Sequence, residues 1–167
     1  MKRVCLGIGS NLTPDGFTSS LAGCEAAIAA LADTGFNDIR TSSWFETAPV
    51  PVSNQPWFVN AVVVAYTNMS ARLVLQSLHI IEAQFGRVRG IQNAARVLDI
   101  DLLDYDGVIL DEDDIKLPHP RMHERAFVLQ PLAEVLPRWS HPVTGRPITE
   151  LIAQAPECQK IFRTQIK

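Results

Sequence analysis

Two kinds of hydrophobic spacing take turns along the chain. Residues 2–9, KRVCLGIG, form a short apolar run that reads as a buried strand, ended by the turn signal Gly9-Ser10-Asn11. From 17 to 33 apolar residues recur at Leu21, Cys24, Ile28 and Leu31, a helical spacing that Gly35 stops. NDIRTSSWFET, 37–47, alternates loosely as a second strand and leads into the proline-bearing loop APVPVSNQP. WFVNAVVVAYT, 57–67, is β-branched and aromatic and predicts a third strand. The spacing over 68–86 predicts a second helix, with Ser70 as its N-cap and Gly86 just past its end. After the polar loop RVRGIQNAA, the run ARVLDIDLLDYDG at 95–107 returns to strand periodicity. Alternation puts Leu98, Ile100 and Leu102 on one face, and Val97, Asp99, Asp101 and Leu103 on the other.

The order strand, helix, strand, strand, helix, strand is that of a ferredoxin-like βαββαβ core, an α+β fold with an antiparallel sheet backed by helices. Beyond it lie the loop DGVILDEDDIKLPHPRMHER, a helix expected over Ala126–Val135 and a short one near Thr149–Gln154. One domain over 1–167, a core with a C-terminal extension, is the expectation. Composition narrows the classes. Of 167 residues 47% are hydrophobic and 20% charged, as in a globular protein. The net charge of −3 disfavours a nucleic-acid-binding surface, so a basic site must be local. Cys5, Cys24 and Cys158 are odd in number and form no CxxC, which points to a reducing compartment and away from a zinc site. No stretch approaches a signal peptide or a membrane span, so the cytoplasm is the expected location and a membrane partner is not expected.

Asp99 and Asp101 are the first candidate for chemistry. At a separation of about 6 Å and an effective dielectric of about 20, two carboxylates repel by about 3 kcal/mol. Either this strand face is solvated, or a cation sits between them. The pair suits Mg²⁺, which takes one or two carboxylates and completes its shell with water and phosphate oxygens. Asp104 and Asp106, close to Gly107, read as turn formers. The loop GRVRGIQNAAR at 86–96 carries three arginines and no acid, a pattern that suits polyphosphate. LPHPRMHERAF adds His119, Arg121, His123 and Arg125; its prolines disfavour a helical metal pair, and one histidine with one arginine could meet a phosphate from the loop. Phe58 and Asn60 share a strand face, and an aromatic beside an amide suits a flat heterocycle as well as it suits an ordinary core. GIGSN lacks the further residues of a dinucleotide or Walker loop and reads as a strand-ending turn.

Together these stretches resemble the 6-hydroxymethyl-7,8-dihydropterin pyrophosphokinase family, through GIGSNL at 7–12, SSWFET.P at 42–49, NQPWFVNAVV at 54–63, GRVR at 86–89, R.LDIDLL at 96–103 and LPHPRMHERAFVL.PLAE at 117–134. The resemblance implies transfer of pyrophosphate from ATP to a pterin alcohol, with AMP as the other product. It implies that Asp99 and Asp101 hold two Mg²⁺ ions, and that Arg87 and Arg96 join them in catalysis. Glu82, Arg87, Arg96, His119 and Arg125 would serve ATP; Thr47, Ala48, Pro49, Val50, Phe58, Asn60 and Phe127 would serve the pterin. His123 matches nothing functional and is expected at the surface. The chain departs from the family's common RWGPR at QNAAR, where no tryptophan stands and Gln92 replaces an arginine; Pro51 replaces a common glycine. ATP and the pterin are the expected small-molecule partners, and a monomer is the expected state.

Overall fold

Lys2–Ser10 form β1, whose alternate residues are buried on opposite faces: Val4, Leu6 and Ile8 on one, Cys5 on the other. In the computed structural model, which describes residues 1–49, 53–87, 95–156, 159 and 161–164, this strand lies inside an antiparallel sheet. The elements follow in the order α1 (Ser20–Asp33), β2 (Asn37–Thr41), β3 (Phe45–Thr47), β4 (Phe58–Thr67), α2 (Ala71–Gln84), β5 (Asp99–Tyr105), β6 (Leu110–Asp111), β7 (Lys116–Leu117), α3 (Ala126–Val135), α4 (Ile148–Gln154) and β8 (Ile161–Arg163). The strand order is β5-β1-β4-β3-β8, with β2 also paired to β4; β6 and β7 form a separate ribbon.

Helices cover both faces of the sheet. Val4, Leu6 and Ile8 of β1, Ala61, Val63 and Ala65 of β4, and Ile100 and Leu102 of β5 pack against α1 and α2 through Cys24, Ala27, Leu31, Val74, Leu78 and Ile81. Cys5, Val62, Val64 and Leu103 meet Val128, Leu129 and Leu132 of α3 and Ile148 and Leu151 of α4. Burial on both sides explains why β4 reads as an unbroken apolar run rather than an alternating one. The free Cys5 and Cys24 are buried, and burial pushes both thiols up to about 12. Among the described residues no helix is long and apolar enough to cross a membrane.

Several boundaries differ from the periodicity. The Ser19 hydroxyl accepts from Ala22 N and starts α1 at Ser20, later than the apolar spacing implies. Ser70 caps α2 as expected, accepting from Leu73 N. The strand expected over 37–47 is two, β2 and β3, both paired to β4. Between them Ser42 occupies the ladder with backbone and hydroxyl, donating N–H to Val62 O and accepting from Val62 N. GIGSN does end the strand, though later than expected: Gly7, Gly9 and Ser10 are still paired within β1, and the bend begins at Asn11. The strands β6, β7 and β8 were not signalled by the sequence. In β5 the alternation holds as far as Leu103. There a register shift opposite Cys5 and Leu6 turns Asp104 toward the α3 side.

Asp104 is accordingly more than a turn former. It is fully buried, and its carboxylate accepts from Trp139 Nε1 at 3.2 Å, Arg3 at 3.4 Å and Gly107 N at 3.1 Å. Asp106 does keep the turn role, at φ +52° beside Gly107, and pairs with Lys2.

Candidate active site

The site begins with a row across three strands. Asp99 on β5 is in register with Gly9 on β1, and Gly9 with Asn60 on β4; one step along, Asp101 is in register with Gly7. All these positions face α3, so the glycines leave a trough between the carboxylates and the Asn60 amide. Gly9 is required there, because a Cβ would lie 2.6 Å from Asn60 Oδ1. Asn60 is 8% exposed and donates Nδ2–H to Thr47 Oγ1 at 2.7 Å. A cavity of about 330 Å³ fills the trough, bounded by Thr47, Ala48, Phe58 and Asn60 at one end and by Phe127 of α3 above. Pro49 is buried but does not line it, and Val50 lies outside the described residues.

At the other end the lining is charged. Arg87 donates to Glu82 and to Asp99 Oδ1, the latter at 2.6 Å, and Arg96 donates to Asp99 Oδ2. Arg125 stands 3.8 Å from Asp101 Oδ2, with its guanidinium over the Phe127 ring at 5.4 Å. Burial and the neighbouring Asp99 carboxylate raise the Asp101 pKa to about 6. Glu82 is 1% exposed; its Oε1 accepts from Ile100 N at 2.7 Å, so it ties α2 and Arg87 to the aspartate strand. His119 follows the β7 strand, its N–H bonded to Leu103 O. Its Nδ1 accepts from Arg121 N at 3.1 Å, which puts the ring proton on Nε2. Burial, with Arg125 and Arg121 nearby, lowers its pKa to about 4, so the imidazole is neutral at physiological pH.

A second cavity of about 310 Å³ adjoins the first, bounded by Leu75, His79, Ile100, Ile115 and Lys116. Glu82 lines only this one, whereas Arg87, Asp101 and His119 line both. Arg96, Asp99 and Arg125 line the first alone. The residues expected to act therefore converge, apart from Pro49 and Val50. The altered segment 88–94, with Gln92 and Asn93, lies outside the described residues, as do Pro51 and Cys158. His123 is half-exposed, in an edge contact with His141.

The motif reading missed two contributions, the Gly7 and Gly9 floor and Asn11; Arg121, singled out in the loop without a role of its own, also enters the lining. Asn11 is 4% exposed and exchanges bonds with the Arg96 backbone, N–H to O at 3.1 Å and Oδ1 from N at 2.8 Å. Its Nδ2 donates to Gln55 Oε1 and Pro56 O. One buried amide thus anchors the segment before the aspartates and the segment before β4. Glycine, serine and asparagine in succession mimic a turn, which hid this role.

The model of one protein family, 7,8-dihydro-6-hydroxymethylpterin-pyrophosphokinase, matches residues 5–137. A 2-amino-4-hydroxy-6-hydroxymethyldihydropteridine pyrophosphokinase of Methylorubrum extorquens is 39% identical over 137 residues, 82% of this chain and 84% of that protein. Proteins of the same name in Synechocystis and Pseudomonas aeruginosa are 36% and 35% identical, covering 94% and 93% of this chain and 77% and 93% of theirs. Among solved structures, the Plasmodium falciparum HPPK-DHPS triple mutant with STZ-DHP aligns at a TM-score of 0.70 and 14% identity, over 92% of this chain. The chain spans 43% of that longer protein, and the likeness speaks for the fold.

Proposed function

The chain belongs to the 7,8-dihydro-6-hydroxymethylpterin-pyrophosphokinase family, and from that premise we infer that it moves the β- and γ-phosphates of ATP together onto the hydroxymethyl oxygen of 6-hydroxymethyl-7,8-dihydropterin. The oxygen bonds to the β-phosphorus, the bond from that phosphorus to the oxygen bridging to the α-phosphate breaks, and AMP leaves with the bridging oxygen. The hydroxyl proton is released. The observation that carries this reading is the pair of adjoining cavities with Arg87, Asp101 and His119 in common. One cavity has the aromatic and amide lining that suits a flat heterocycle. The other suits a nucleotide, and Arg87 at the seam, with Arg96 and Arg125 beside it, offers the positive charge that a triphosphate needs.

In this reading Phe58 and Phe127 hold the pterin ring, while Asn60, Thr47 and Ala48 address its edge, and Pro49 and Val50 complete the loop beside it. Arg87, Arg96 and Arg125 meet the phosphates, His119 donates from Nε2, and Glu82 orients Arg87. These groups act by alignment and by charge neutralisation in a partly dry site. The donor set of Asp99 and Asp101 fits Mg²⁺: two hard oxygen ligands on one face, with the Asp101 pKa raised by burial and by the Asp99 carboxylate. Bound there, Mg²⁺ would supply Lewis-acid neutralisation of the phosphate oxygens. Asp99 would trade its arginines for that cation, freeing them for phosphate.

Strand order β5-β1-β4 with β2 and β3 beyond it supports a ferredoxin-like core. We read 1–167 as one pyrophosphokinase domain acting as a cytoplasmic monomer. The test of function is AMP release from ATP and Mg²⁺ with and without the pterin alcohol, beside an Asp99→Ala, Asp101→Ala control. Pterin-dependent AMP that disappears in the control is the expected result; AMP formation indifferent to pterin would refute the assignment.

A further inference from the structure

Among the described residues four arginines line the first cavity, and three have carboxylate neighbours: Arg87 and Arg96 are bonded to Asp99, and Arg125 faces Asp101. Arg121 differs. It is exposed, and among the described residues no carboxylate pairs with its guanidinium. Its backbone is nonetheless fixed, with N–H on His119 Nδ1 at 3.1 Å and C=O accepting from Glu124 N at 3.3 Å at the start of the tight turn Met122–Glu124. An uncommitted guanidinium thus stands on a rigid base at the edge of the site.

Its location is selective. Arg87 and His119 border both cavities, but Arg121 borders only the one that holds Phe58, Asn60 and Phe127. Its charge is felt by His119 and Arg125, whose pKa values it helps to lower. On the acceptor side of the seam, an anion is created by the reaction itself. Before transfer the terminal phosphates belong to the nucleotide; afterwards they are attached to the acceptor. An arginine can fork onto such a phosphate without first breaking an internal ion pair.

We propose that Arg121 binds the terminal phosphate of the pyrophosphorylated product, and so sets how tightly product is retained. The proposal rests on the function inferred above. Dissociation constants would be measured by titration calorimetry in Mg²⁺-containing buffer for three ligands: 6-hydroxymethyl-7,8-dihydropterin pyrophosphate, the corresponding alcohol, and AMP. Arg121→Gln should weaken the pyrophosphate by about tenfold or more, leave the alcohol and AMP within about twofold, and Arg121→Lys should recover part of the loss. Unchanged affinity for the pyrophosphate in Arg121→Gln would overturn the proposal. So would an equal loss for all three ligands, which would mark a structural role. If the unmodified protein neither binds the pyrophosphate nor releases AMP, the functional reading falls and this inference with it; if it does both and Arg121→Gln matches it, only the role of Arg121 fails.

Discussion

A methyl group at Gly9 would collide with Asn60 Oδ1, and the amide, held to Thr47 by a 2.7 Å bond, has little room to retreat. Gly9→Ala is therefore expected to cost about 1–2 kcal/mol of stability through overpacking. It should also raise the Kd for the pterin alcohol by about tenfold or more, because a buried amide bond is lost with it. Calorimetry with the pterin alone checks this; an unaltered Kd would mean that Asn60 does not read the ring. Much of the site at this scale was legible from residue chemistry: paired acids in an apolar strand and arginines without acids are unusual enough to point to function. Gly9 was not legible, since its role depends on which residue lies opposite it on another strand. Sequence neighbours do not carry that information.

The joint between elements depends on Asn11, which closes the end of β1 against the lead into β5 and against the segment before β4. Asn11→Ala leaves the half-buried Arg96 N–H without its side-chain acceptor, for a loss of about 1 kcal/mol. Both substrates should show a raised KM, because one side chain secures both segments. A change in only one KM would assign Asn11 to that side alone. Helices and long strands could be read ahead because burial on one face, or on both for β4, imposes a period or an unbroken run. The short β6, β7 and β8 could not, since two or three residues hold no period and their partners fix them. The split between β2 and β3 escaped for a similar reason: Ser42 bonds to Val62 much as a strand residue would.

Across the whole molecule, two groups of the site oppose each other in their effect of pH on stability. His119 is lowered to about 4 in the folded state, so its contribution is lost as pH falls from 6.5 through 4. Asp101 is raised to about 6, so its buried and repelled charge destabilises the fold above that value, a penalty relieved as pH falls from 6 toward 3.8. The two windows overlap and largely cancel. Asp101→Asn removes one of them. With 40% of the Asp101 side chain still exposed, solvent screening limits the gain at pH 8 to about 1 kcal/mol. Urea unfolding at pH 8, 6 and 4.5 should show that advantage shrinking with acidification while catalysis is abolished. A constant difference across the series would contradict it.

The ion pairs that Asp99 makes with Arg87 and Arg96 have one more consequence, for the order in which the site fills. In the absence of substrates the arginines serve as the carboxylate's internal counter-ions, so the fold tolerates its acids without metal. A divalent cation arriving by itself would have to evict two guanidinium groups and leave them nothing to hold. Arriving with a triphosphate, it brings their new partners with it. The exchange is then one of matched charges, and Mg²⁺ and nucleotide should enter as a single complex, with free Mg²⁺ a poor ligand.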